Sequence, residues 1–180
     1  MRYIFKATLG VVALSSCMFT FAQDDNMHMN HQQHMAAMQQ DARQLVNFPP
    51  EMRQHTLANM RDHLVVLSGI LAAMSGGQYA KAASLADQRL GLSSPSADGC
   101  KPESASNEPQ VSKPVNMDHQ MAQFMPEPMR QIGYGMHEAA SAFAKEASKA
   151  AKTGNAKPAL AALSIVTEQC SACHAAYKVQ

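Results

Sequence analysis

Apolar residues recur at alternating steps of three and four along two segments of the chain, and this period restricts what the chain can fold into. The first segment carries Leu57, Met60, Leu64, Leu67, Leu71 and Met74. The last segment has the same steps at Leu160, Leu163, Thr167, Cys170, His174 and Tyr177. Such spacing brings side chains to one face of an α-helix that packs against other helices. The chain is also rich in alanine and lacks tryptophan, and an all-β fold is excluded.

Two further segments between these also predict helices. Residues 78–90 are rich in alanine. Residues 128–152 have an apolar face made of Met129, Ile132, Met136, Ala140, Phe143 and Ala147. The connections between the first and second helices, and between the third and fourth, are short, as in antiparallel helix pairs. The sequence therefore predicts a single all-α domain with the architecture of an antiparallel four-helix bundle.

The first 22 residues have the three parts of a secretory signal, namely Arg2 and Lys6, an apolar stretch, and the small residue Ala22. They predict cleavage after Ala22 and residence in the periplasm. The alternative is a lipoprotein signal in which Cys17 is lipidated. Loss of Arg2 and Lys6 lowers the formal net charge from +1 to −1, and nothing suggests a nucleic-acid partner.

The rest of the chain divides into a lead-in and a folded part. Residues 23–47 are rich in Gln, His and Met without a sustained apolar face, and we expect a flexible segment. The folded domain is expected over residues 48–180. Within it, residues 92–116 show no period and predict a long surface loop. Cys100 lies in that loop and is interpreted as an unpaired thiol, with intermolecular pairing as the alternative.

The sequence CSACH at residues 170–174 is the motif with the clearest chemistry. On a helix, Cys170, Cys173 and His174 point toward a single site. Two thiols followed at once by a histidine form the pattern for covalent attachment of a c-type haem. The thiols would form thioethers with the porphyrin vinyl groups, and neutral His174 would bind the iron from the proximal side.

Other interpretations of this motif need features that the sequence lacks. A structural disulfide or a thioredoxin-like redox pair would place the two cysteines after a strand in an α/β pattern. A zinc site would need a fourth ligand and usually a second ligand cluster. The signal peptide and the helical chain favour one covalent haem c.

The haem motif lies close to the C-terminus, in CSACHAAYK, and there the chain resembles class II cytochromes c, the cytochrome c′ type. The run MRQHTLANMRDHL at residues 52–64 is similar to the opening helix of that family. The resemblance covers residues 49–180 apart from the loop, and it implies a four-helix bundle, haem c and a periplasmic location. Our first hypothesis for such a protein is electron transfer without catalysis of a reaction, so we do not expect an enzyme.

The same resemblance raises the question of the second axial position of the iron. In low-spin members a methionine of the first helix binds the iron, and Met60, within NMRDH, looks like that residue. In five-coordinate members an apolar residue covers an open site for small gases, and Leu57 is similar to it in position. Ordinary core packing remains the alternative for Met60, because methionine is an adaptable packing residue.

Several other polar residues are given simpler interpretations. His63 could offer the iron a second imidazole, but it falls one place off the predicted seam, and we expect His55, His63 and His137 at the helix surface. Tyr177 and Lys178 resemble residues that follow the motif in the family. Lys178 would lie near the proximal haem face or a propionate, or would instead neutralise the last carbonyls of the helix.

Two regions combine methionine and histidine, a set of donors that suits copper. The first comprises Met27, His28, Met29, His31, His34 and Met35, and the second comprises Met117, His119, Met121 and Met125. Polar low-complexity sequence is the alternative for both regions.

The sequence is therefore compatible with three functions. The first is a periplasmic electron-transfer cytochrome, the second is a five-coordinate cytochrome that binds nitric oxide or carbon monoxide, and the third is a copper-handling protein. The redox partner is not indicated by the sequence. A homodimer is compatible with the pattern, since heptad seams do not distinguish internal packing from a subunit interface.

Overall fold

The computed structural model describes residues 41–102 and 117–180. These residues are mostly helical. The α-helices are α1 (Pro50–Ser75), α2 (Tyr79–Arg89), α3 (Met117–Met121), α4 (Glu127–Thr153) and α5 (Lys157–Ala176). A 3-10 helix covers Pro95–Gly99, and two short strands, β1 (Gln44–Leu45) and β2 (Tyr177–Lys178), complete the elements. The predicted signal, most of the lead-in and residues 103–116 of the predicted loop lie outside the described residues.

Proline and glycine determine where the long helices begin and end. Helices α1, α4 and α5 each have proline in the first turn and no side-chain cap, in agreement with the preference of proline for positions that need no N–H. Helix α4 ends at Gly154, whose φ of 73° is left-handed and strained for other residues. The observed bounds of α2 and α4 lie within one residue of the predicted ranges 78–90 and 128–152.

The main apolar core is formed where α4 packs against α5 and α2, and where α2 packs against α1. The predicted face of α4 is confirmed for Met129, Met136, Ala140, Phe143 and Ala147, which are all buried. The alanines of α2 are buried as well, because small side chains allow the neighbouring helices to approach closely. Helices α1 and α5, in contrast, make few contacts with each other.

The predicted seam of α1 is only partly buried, since Met74 is buried and Leu67 packs against the main core. Leu57, Leu64 and Leu71 are exposed, with 66% of Leu64 and 50% of Leu71 open to solvent. The side chains that α1 buries are Thr56, Val66, Ile70, Ala73 and Met74. The reason is that α1 has two apolar faces. One face packs against the core, and the neighbouring face, offset by about one residue, is turned away from it.

The predicted seam of α5 is also only partly buried. Leu163 of this seam is buried together with Ala159 and Val166, whereas Leu160 and Thr167 are exposed. The helix also stops before the predicted position. Tyr177 is extended and belongs to β2, because the end of the chain pairs with β1.

The two strands hold the start of the folded domain against its end. Gln44 pairs with Tyr177 and Leu45 with Lys178 in a parallel register, and Val46 N–H donates to the Lys178 carbonyl at 2.9 Å. Val46 is buried. The compact unit therefore begins at Ala42, several residues before the predicted start at residue 48.

A second apolar cluster, here called the methionine cluster, lies beside these strands. It consists of Val46, Met121, Met125 and Met129, with Phe48, Met52, Cys100, Cys173 and Tyr177 packed against it. Thr56 Oγ1 also donates to Met121 Sδ at 3.1 Å. The prediction that Met121 and Met125 belong to a low-complexity or copper-binding stretch is corrected here, since both pack in a core.

The predicted surface loop is also partly structured. Its described part, residues 92–102, contains the 3-10 helix and buries Ser94, Ala97 and Gly99. A short 3-10 helix has no long apolar period, which explains why the pattern did not indicate it.

Helix α1 allows a direct test of which face is buried. We expect Ile70→Ala to lower the free energy of unfolding by about 2 to 5 kcal/mol, because it leaves a cavity at a position with 0% exposure. Leu71→Ala removes an equal volume from the next residue and should cost less than about 1 kcal/mol. Urea unfolding of both variants measures the difference, and equal losses would contradict the observed register.

Within residues 41–102 and 117–180, no helix has the length and apolarity required to span a membrane.

Candidate functional site

A cavity of about 300 Å³ lies between α1 and α5, with α4 at its base. Met60, Leu64 and Leu67 of α1 line one wall, and Cys170, Cys173 and His174 of α5 line the other. The second apolar face of α1 is thus the wall of this cavity. A larger groove of about 690 Å³ between α2 and α4 contains no Cys, His or Met and offers no comparable chemistry.

The predicted motif residues are together in this cavity. They lie on the last two turns of α5, where positions three and four residues apart share a face. Cys170 and Cys173 are both free thiols and partly buried. Burial raises the pKa of each thiol above its ordinary value, because an apolar environment disfavours the thiolate. His174 is exposed at the mouth of the cavity.

Of the two candidate residues on α1, only one lines the cavity. Met60 is half-buried and lies in the cavity wall, whereas Leu57 is exposed and is not among the lining residues. The predicted role of Leu57 as an apolar lid therefore has no support from its position. The thioether of Met60 is the sulfur donor of the α1 wall.

His63 lines the same wall as Met60, one turn further along, so its predicted place at the surface is wrong. Burial lowers the pKa of His63, against the weaker opposing effects of Asp62 and Asp118. Its imidazole is therefore neutral near pH 7. The sequence could have indicated that His63 lies beside Met60, because the two residues are three apart and residues at i and i+3 are neighbours on a helix.

Cys100 also reaches the cavity, although the sequence places it in a loop. The 3-10 helix directs Cys100 toward α4, where a side chain at Gly133 would bring a Cβ atom within 2.6 Å of the Cys100 Sγ. Glycine at position 133 is therefore required for this contact. No sequence period connects Cys100 with the motif that begins seventy residues later.

His137 is 2% exposed, so its predicted surface position is wrong as well. Its Nδ1–H donates to the Leu90 carbonyl at 2.7 Å. Its ring lies edge-on to that of His63, with the ring centroids 6.3 Å apart. The histidine is tolerated in the core because this hydrogen bond replaces water.

His55 is held by a buried acid rather than solvated. Its Nε2 lies 2.7 Å from Asp118 Oδ1, to which Asn59 Nδ2 also donates at 3.0 Å. These contacts attach α3 to α1, beside the cavity.

The buried His137 gives the protein a predictable response to acid. Burial lowers its pKa from 6.5 to about 4, only partly opposed by the hydrogen bond to Leu90. Below pH 6.5 the unfolded chain binds a proton that the folded chain does not, so the free energy of unfolding falls as the pH falls. We expect a loss of about 3 kcal/mol between pH 6.5 and 4. Urea unfolding across this range measures it.

The control for this prediction is His137→Gln, which keeps a polar side chain but cannot titrate. It should flatten the pH dependence of stability in this window even if its stability at neutral pH is lower. An unchanged slope would mean that other groups cause the acid response.

Tyr177 and Lys178 follow the motif as residues of β2. Tyr177 packs against the methionine cluster, and the backbone of Lys178 pairs with β1. The strand thus anchors the end of α5 that carries the motif.

No group of three or more His, Cys, Asp or Glu side chains in the described part of the chain is arranged to bind a metal ion. Of the second predicted copper region, Met121 and Met125 are core residues, and Met117 and His119 are partly buried on α3. The first region, Met27 to Met35, lies outside the described residues.

Known protein families, curated proteins and solved structures contain no match to this chain. The residues of the cavity therefore carry the functional assignment. They combine two thiols and an exposed imidazole on one wall with a thioether and a neutral imidazole on the other, between apolar side chains. Thiols, thioethers and imidazoles are the donor types that soft and borderline transition metals prefer.

Proposed function

We propose that this protein is a periplasmic electron-transfer cytochrome with one covalent haem c in an antiparallel four-helix bundle of the class II cytochrome c type. Cys170 and Cys173 provide the thioether links, and His174 is the proximal iron ligand. The observation that carries the proposal is that all three motif residues line one cavity, opposite a wall that contains Met60.

The residues that line the cavity have the chemistry that a haem requires. Leu64 and Leu67 form an apolar wall, and Leu64 remains largely exposed although it lines the cavity. A flat apolar macrocycle would remove this surface from water, at about 25 cal/mol per Å² of apolar area. Helices α1 and α5 make few contacts with each other, so a flat macrocycle could lie between them.

The side chains divide the work of such a site. A bound haem supplies a one-electron iron couple. Cys170 and Cys173 would hold the haem on α5, and the His174 imidazole would be an iron ligand. The Met60 thioether would favour the reduced state of the iron if it were a second ligand. Leu64 and Leu67 would give the group apolar surroundings, and a low dielectric also favours the reduced form.

The test is to produce the full chain in two hosts, one with and one without a haem c attachment system. We expect covalent haem, detected by haem staining of the denatured chain and by mass, only in the first host. The reduced protein should show a low-spin spectrum that carbon monoxide does not change. Absence of covalent haem in the competent host would refute the proposal. Covalent haem with rapid binding of carbon monoxide would instead favour the gas-binding alternative.

A further inference from the structure

Cys100 is the reactive group of the cavity that the proposed function does not use. It lines the cavity together with Cys170 and Cys173. Its thiol lies against α4 at Gly133, where any larger residue would collide with the Cys100 Sγ. Three thiols thus lie in one cavity, in a protein predicted to be exported to an oxidising compartment.

The structure distinguishes which of the two motif cysteines is the neighbour of Cys100. Cys100 and Cys173 both pack against the methionine cluster, whereas Cys170 packs against the main core. The pKa of Cys100 responds to Cys173 as well, which agrees with their shared position beside the methionine cluster. Burial is the main cause that raises the pKa of Cys100 to about 12, and the charge of Cys173 is the next.

We infer that Cys100 and Cys173 form a disulfide in the haem-free chain, and that this disulfide prevents haem attachment at Cys173 until it is reduced. The first half of this inference is independent of the proposed function. The second half rests on it, because only a haem c protein needs a free thiol at Cys173.

The chemistry needs an external disulfide as oxidant, either a small-molecule disulfide or a protein disulfide of the same compartment. The Cys173 thiolate attacks this disulfide and releases one thiol. Cys100 then attacks the mixed disulfide at the Cys173 sulfur and releases the second thiol. Two protein thiols become one disulfide, one disulfide becomes two thiols, and the two protons pass to the leaving thiolates. Reduction by a dithiol reverses both steps.

The test uses the haem-free full chain after signal removal, from a host without haem c attachment, equilibrated with oxidised and reduced glutathione. Peptide mass mapping should find the Cys100–Cys173 link in the parent and in Cys170→Ser. In strong urea the parent should prefer the Cys170–Cys173 link instead, because closing a short loop costs less entropy than closing a long one. A parent that forms only the Cys170–Cys173 link, with a Cys170→Ser chain that stays reduced, would overturn the inference. So would a haem-free chain too unfolded to form the link.

A second measurement tests the consequence for haem attachment. In a haem c competent host grown with added disulfide oxidant, the parent should lose covalent haem yield and Cys100→Ser should keep it. Equal losses in both chains would overturn the second half of the inference. If the link maps as expected but the parent never acquires haem, the proposed function fails while the disulfide stands.

Discussion

Replacing both Cys170 and Cys173 by serine is expected to abolish covalent haem completely in a host that attaches haem c. The physical reason is that each thioether requires one of these sulfurs, and a hydroxyl does not add to the vinyl groups. Haem staining of the denatured chain and its intact mass measure the result. The single variants should retain at most one link.

The matched control for this prediction is Cys100→Ser, which removes the third thiol of the same cavity. It should keep the covalent haem of the parent. His174→Ala should keep the thioether links but lose the proximal iron ligand, and the spectrum should change accordingly. Haem retention in the double serine variant would show that CSACH is not the attachment site.

Met60→Ala is the second prediction with a large expected effect. If Met60 binds the iron, its removal should lower the reduction potential, make the iron high-spin and allow carbon monoxide to bind, because a thioether stabilises the ferrous state and blocks the site. If Met60 only packs, the variant should lose about 2 kcal/mol of stability at this half-buried position. The spectrum would then be unchanged.

Leu57→Ala is the matched control on the same helix. Leu57 is exposed and does not line the cavity, so its removal should change neither the spectrum nor gas binding. His63→Gln tests whether the other donor of this wall, His63, binds the iron instead of Met60. If Met60 is the ligand, this variant should leave the spectrum unchanged. An unchanged Met60→Ala spectrum together with a changed His63→Gln spectrum would assign the second axial position to His63.

The parts of the fold that sequence predicted correctly depend on local chemistry. Helix ends follow proline and glycine, whose backbone restrictions act within one turn. The buried face of α4 was identified because its apolar residues lie on a single stripe. The motif residues were identified because Cys170, Cys173 and His174 are adjacent on one helix.

The seams of α1 and α5 were assigned only partly correctly for a reason that is also physical. Each helix has two neighbouring apolar faces, of which one packs against the core and the other contributes residues to the cavity, and a period of three and four fits either of them. Leu71 and Ile70 are adjacent in sequence, but one is exposed and the other fully buried. Only the position of the neighbouring helix α2 decides between the two faces.

The sequence by itself determined the helical class, the four long helices and the adjacent thiols and imidazole of CSACH, because each depends on residues within a few turns of one another. The tertiary structure decided that Cys100 and His63 enter the cavity and that His137 is buried. It also decided that β1 pairs with β2. These placements depend on packing between residues far apart in the chain, and no local period records such contacts.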